Sequence, residues 1–104
     1  MSAHRREKIS ELLCHQLGEI LLAEEEFGDG ILVTVMGADT SSDLRRAKVF
    51  LSVFPAKHGP AILARLARRV GYFQKILEEK TPLCPAPKIE LALSPIELNQ
   101  SEKL

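Results

Sequence analysis

Ile9, Leu12, Leu13, Leu17, Ile20 and Leu21 recur every three to four positions, with acidic and basic residues between them. That period puts them on one stripe of an amphipathic helix from roughly Ala3 to Glu26, with Leu22 off the stripe. Phe27-Gly28-Asp29-Gly30 stops it, since glycines near a helix end supply left-handed caps. The β-branched run Ile31-Leu32-Val33-Thr34-Val35-Met36 is too short for a second helix and predicts a strand, with Gly37 marking a bulge. Thr40-Ser41-Ser42-Asp43 is turn chemistry, and Ala47 to Phe54 predicts a second strand close enough for an antiparallel pair. Gly59-Pro60 opens a helix whose apolar stripe is Ile62, Leu63, Leu66, Val70, Phe73 and Leu77. Gly71 lies inside that stripe and predicts a kink there, or two helices meeting. Pro82, Pro85 and Pro87 hold an extended connector. Ile89, Leu91 and Leu93 then alternate with Lys88, Glu90 and Ala92, predicting a third strand reached through a helical crossover.

The order helix, strand, strand, broken helix, strand predicts an α+β domain. Its three-stranded sheet should carry the helices on one face. At 104 residues the chain makes one domain, read as residues 1–94 with a polar tail over 95–104. No apolar run approaches the roughly 18–20 residues that span a bilayer, and the first residues lead into no signal-peptide core. Cys14 and Cys84 share no metal-ligand spacing and are expected as reduced thiols in the cytoplasm.

Net charge is zero, but the charges are segregated. Met1 to Asp43 holds three basic and nine acidic residues, Leu44 to Lys88 ten and two, and the remainder one and three. Between Leu44 and Leu77 there are 34 residues without a carboxylate. A solvated helix face normally mixes signs, so this asymmetry points to a polyanionic partner. Arg65, Arg68, Arg69, Tyr72 and Lys75 fall within an arc of roughly 120° on a continuous helix, away from the apolar stripe. Arginine forks hold phosphate bidentately, and an interleaved aromatic offers a stacking surface to an unpaired base. Arg45, Arg46 and Lys48, at the start of the second strand, extend the patch.

No catalytic set emerges. His4, His15 and His58 are scattered, with no acid or nucleophile at a telling distance, and Asp43 in its turn suits backbone capping. The Glu24-Glu25-Glu26 run reads as solvated carboxylates. No cofactor, metal or small-molecule substrate is expected, and the chain reads as a non-enzymatic, monomeric binding protein.

Thr34-Val35, Ser41, Asp43-Leu44, Ala47-Lys48-Val49-Phe50 and Ser52-Val53 resemble the signature stretch of the ribosome-binding factor A family. That signature runs approximately T-V-x-x-V-x-x-S-x-D-L-x-x-A-K-V-[YF]; Ala38 replaces its second valine. The resemblance continues through Gly71-Tyr72-Phe73 to Pro87, Ile89 and Leu91, covering about Glu7 to Leu93. It implies a KH-like domain of type II order, α-β-β-α-α-β, whose usual GxxG loop is replaced by a helix kink of Ala-x-Gly or Ser-x-Gly type, which falls here on Arg69-Val70-Gly71. It further implies a factor that binds the free 30S ribosomal subunit, acts in 16S rRNA maturation and supports growth in the cold. The sequence departs from the family at Arg69, where a small residue is usual, and at Cys84, where arginine is common. A small α+β module that binds an acidic protein is the alternative, and a general single-strand binder a third reading.

Overall fold

The computed structural model describes residues 3–83 and 85–95, so Cys84 and all of the polar tail beyond Pro95 lie outside the described residues. The elements are α1 (Ala3–Glu24), β1 (Leu32–Thr40), β2 (Arg46–Phe54), α2 (Gly59–Ala67), α3 (Val70–Lys80) and β3 (Lys88–Leu93). A single 3₁₀ turn, Ala56–His58, follows the cis Phe54–Pro55 peptide and leads into α2. The α1–β1 connection turns through Gly28 (φ 96°) and Gly30 (φ 79°), a backbone region that only glycine enters without strain.

β2 is the central strand. β1 pairs with it antiparallel and β3 pairs with it parallel, giving the order β1-β2-β3. The parallel pair requires a crossover, which α2 and α3 provide. Ala47, Val49, Leu51 and Val53 of β2 point into the core, while Arg46, Lys48 and Phe54 are exposed on the other face. The core joins these residues to Leu13, Leu17 and Ile20 of α1, Leu66 of α2 and Phe73 and Leu77 of α3. All three helices therefore bury their stripes on the sheet, and the α+β, KH-like order of the sequence reading is the observed one.

Two details differ from the sequence reading. β1 runs past Gly37 to Thr40 instead of ending at Met36. A bulge between Val35 and Gly37 interrupts the alternation without ending the strand, and Thr40 is held by a 2.7 Å hydroxyl contact with Ser10 of α1. Two helices meet near Gly71, as one of the two sequence readings has it, but the junction is at Arg68–Arg69 and not at the glycine itself. Arg69 N–H bonds the Leu66 carbonyl and Arg69 adopts φ −106°, ψ 6°, outside the helical region, before α3 restarts at Val70. Gly71 is an ordinary helical residue, and a Cβ there would meet nothing within 4 Å. The break falls two residues earlier, on an arginine held from another element.

Candidate nucleic-acid interface

The end of α1 is where that arginine is held. Glu25 follows α1 directly, and its N–H continues the helical pattern to the Leu21 carbonyl. One carboxylate oxygen, Oε1, accepts from Arg65 Nη2 at 2.9 Å; the other, Oε2, accepts from Arg69 Nε at 2.7 Å. Arg65 also donates to the Glu26 carbonyl at 2.6 Å, and its guanidinium stacks 5.2 Å from the Phe27 ring centre. Arg69 lies 4.9 Å from the Tyr72 ring centre and 5.6 Å from that of Phe73. The Tyr72 hydroxyl donates to Glu24 at 2.7 Å. That bond to a carboxylate, and the negative charge of Glu24, push the Tyr72 phenol above its ordinary range.

The glutamate run is therefore not simply solvated. The Glu25 side chain is only 3% exposed, while its arginine partners keep 39% and 44%. A carboxylate this buried persists only where its lone pairs are filled, and two guanidinium groups fill them. Of the five residues assigned to one basic arc, Arg65, Arg69 and Tyr72 are thus committed to the acidic end of α1. Arg68 and Lys75 are exposed and have no ion-pair or side-chain hydrogen-bond partner among the described residues.

Arg45, Arg46 and Lys48 do not extend this patch. They sit at the hairpin end of β2, beside the start of α1, whereas Arg65 and Arg69 sit at its far end. The twenty helical steps from Arg5 to Glu25 separate the two groups by roughly 30 Å at 1.5 Å per step. The hairpin itself is locked by the motif residues. Asp43 accepts from the Ser41 hydroxyl at 2.7 Å and from the Arg45 N–H at 3.0 Å, and Leu44 takes φ 63° at the turn. These two bonds, the Ser41 hydroxyl first, hold the Asp43 carboxyl below its ordinary value. The S-x-D-L motif is thus turn chemistry, as its composition indicates.

Sequence reasoning missed Lys88. In the β2–β3 register it stands directly opposite Arg46. No local signal announces this, because a parallel register is set by the crossover and not by the strand's own alternation.

Other reactive groups stay apart. His15 faces Glu19 at 3.6 Å on the exposed side of α1, and the half-buried Cys14 thiol is pushed up by burial and by Glu11. Among the described residues no three His, Cys, Asp or Glu side chains are placed to share a metal ion. No described helix is long and apolar enough to cross a membrane.

The profile of the ribosome-binding factor A family matches residues 5–100. The chain belongs to that family. A ribosome-binding factor A from Natranaerobius thermophilus is 34% identical over 90 residues, covering 86% of this chain and 69% of that protein. One from Halothermothrix orenii is 30% identical over 90 residues, covering 86% and 74%. The crystal structure of ribosome-binding factor A from Thermus thermophilus superposes with a TM-score of 0.71 at 21% identity, covering 85% of this chain and 94% of that one. At that identity the likeness shows the fold.

Proposed function

We propose that this protein is an assembly factor of the small ribosomal subunit, which binds the free 30S particle through 16S rRNA during its maturation. It acts by binding and release, in the cytoplasm, as a monomer, without cofactor, metal, membrane or small-molecule substrate. The observation that carries the reading is the family match over residues 5–100, which takes in every described residue from Arg5 onward. The basic residues Arg45, Arg46, Lys48, Arg65, Arg68, Arg69 and Lys75, with Tyr72, are the contacts assigned to RNA. The structure sorts them by availability: Arg46, Lys48, Arg68 and Lys75 make no ion pair among the described residues, whereas Arg65 and Arg69 share Glu25.

The test is sedimentation of the tagged protein through a sucrose gradient of cell lysate at low salt. It should travel with 30S particles and leave them as salt rises, because phosphate contacts are lost to competing counterions. A protein that stays at the top of the gradient refutes the assignment. Pull-down with and without RNase separates the alternative, since an acidic protein partner would survive the nuclease.

A further inference from the structure

We propose that the groove between the start of α1 and the entrance of β3 seats the phosphodiester backbone of single-stranded RNA, with Arg46 and Lys88 as its paired cations. The inference rests on the ribosomal reading above and names the site at which the RNA strand is held.

The register supplies the main argument. On the outer face of the sheet, Lys48 stands between Asp39 on β1 and Glu90 on β3, so that row alternates in sign. In the next row Arg46 stands opposite Lys88. Two like charges held side by side on adjacent strands repel one another unless an opposite charge lies near them. Both side chains are exposed, and neither has an ion-pair partner among the described residues. The fold thus balances charge in one row and leaves two cations side by side in the adjacent one. A phosphate between them removes the repulsion.

The surroundings suit such a ligand. Arg46 and Lys88 stand at the end of the sheet, bordering a shallow outer-face depression of about 410 Å³ and, toward α1, a cavity of about 790 Å³ to which Arg5 and Arg45 add positive charge and Leu44 and Leu83 an apolar wall. The carboxylates at this groove are Asp43 and Glu78; Asp39 and Glu90 border the same cation pair on the outer face, where Lys48 stands between them. Asp43 is turned into its own loop by the Ser41 hydroxyl and the Arg45 N–H, which leaves Glu78 to face the groove. At the α2–α3 junction, by contrast, the paired arginines already hold a carboxylate. Backbone contact is sequence-independent, and the apolar wall offers a surface for sugar and base without reading the base.

The test uses the full chain, a fluorescent oligouridine and purified 30S subunits. Arg46→Gln with Lys88→Gln should weaken oligouridine binding and lower the slope of log affinity against log salt by about 0.7, the share of the one single-strand phosphate the pair holds. Lys57→Gln, at an exposed lysine of the 3₁₀ turn that lies outside the groove and is assigned no RNA contact, serves as the comparison and should leave the oligouridine slope in place. The double variant should melt at the same temperature as the parent or higher, since a repulsive pair has been removed. Parent-like oligouridine binding in the double variant overturns the seat, and so does a lowered melting point. If 30S co-sedimentation persists alongside either result, the ribosomal reading stands. If the parent binds oligouridine through this pair but never sediments with 30S, the seat stands and the ribosomal reading falls. Equal competition by polyglutamate at matched charge also overturns the seat, because it would mark a general site for acidic protein.

Discussion

Glu25 Oε2 lies 2.7 Å from Arg69 Nε, and Arg69 is the residue at which the central helical stretch leaves helical geometry. The two are 44 residues apart in sequence. The contact joins the end of α1 to the α2–α3 break, with Arg65 closing the other side of the carboxylate. Substituting Glu25→Gln keeps the shape but turns an amide donor toward one guanidinium, leaving that pair facing donor to donor. Breaking a fully buried ion pair costs roughly 3–5 kcal/mol. The arginines here are half exposed and regain water, so a loss of about 2 kcal/mol is expected. Urea unfolding should show a lower midpoint at an unchanged slope; an unchanged midpoint would make the pairing inconsequential.

This junction also marks where the sequence stopped being legible. Periodicity carried the elements, because each stripe reports which face is buried. Ile62, Leu66, Phe73 and Leu77 were readable as core without knowing their partners. Local propensity puts the break near Gly71, and the Arg69-Val70-Gly71 motif contains it, but which residue leaves the helix is fixed by a carboxylate from a distant part of the chain. For the same reason the sequence alone shows Glu25 as a solvated carboxylate and Arg45 and Arg46 as continuous with Arg65, although α1 lies between them. Lys88 was invisible for a related reason, since its neighbour across the sheet depends on how far the crossover carries β3.

Tyr72 gives a direct optical report on the same contact. It is the chain's single tyrosine, and there is no tryptophan, so phenolate absorbance reads one group. Its bond to Glu24 favours the neutral phenol and raises the folded pKa above the ordinary 10.0. The sign follows: the contact's contribution to stability is complete below pH 10.0 and is lost as pH rises through the elevated value. Titration at 295 nm should therefore give a midpoint above 10.0 in the parent and a lower one in Glu24→Ala. Identical midpoints would mean that the hydroxyl does not rest on Glu24 in solution.

Gly71 yields the opposite prediction from the one its sequence context invites. It is exposed, helical and free of neighbours around a would-be Cβ. Gly71→Ala should be tolerated or should stabilise the protein by up to about 0.5–1 kcal/mol through backbone entropy. Thermal melting decides the matter, and a marked loss would return the hinge to Gly71.

Three neighbouring arginines should answer charge reversal very differently. Arg65→Glu and Arg69→Glu each place a second carboxylate against the buried Glu25 and remove one of its two partners. Each should cost about 2 kcal/mol or more, since Glu25 keeps one guanidinium but gains a like charge beside it. Arg68→Glu changes an exposed side chain that has no such partner among the described residues, so it should stay within about 0.5 kcal/mol of the parent. Reversing all three together would therefore unfold the junction, and loss of 30S binding in that variant would say nothing about RNA contact. Arg68→Glu alone separates the two effects. Circular dichroism should give it the parent's melting curve, and any change in its sedimentation with 30S then reports binding. If instead the three single variants melt alike, Glu25 is not held by Arg65 and Arg69, and the junction is a solvated basic face after all.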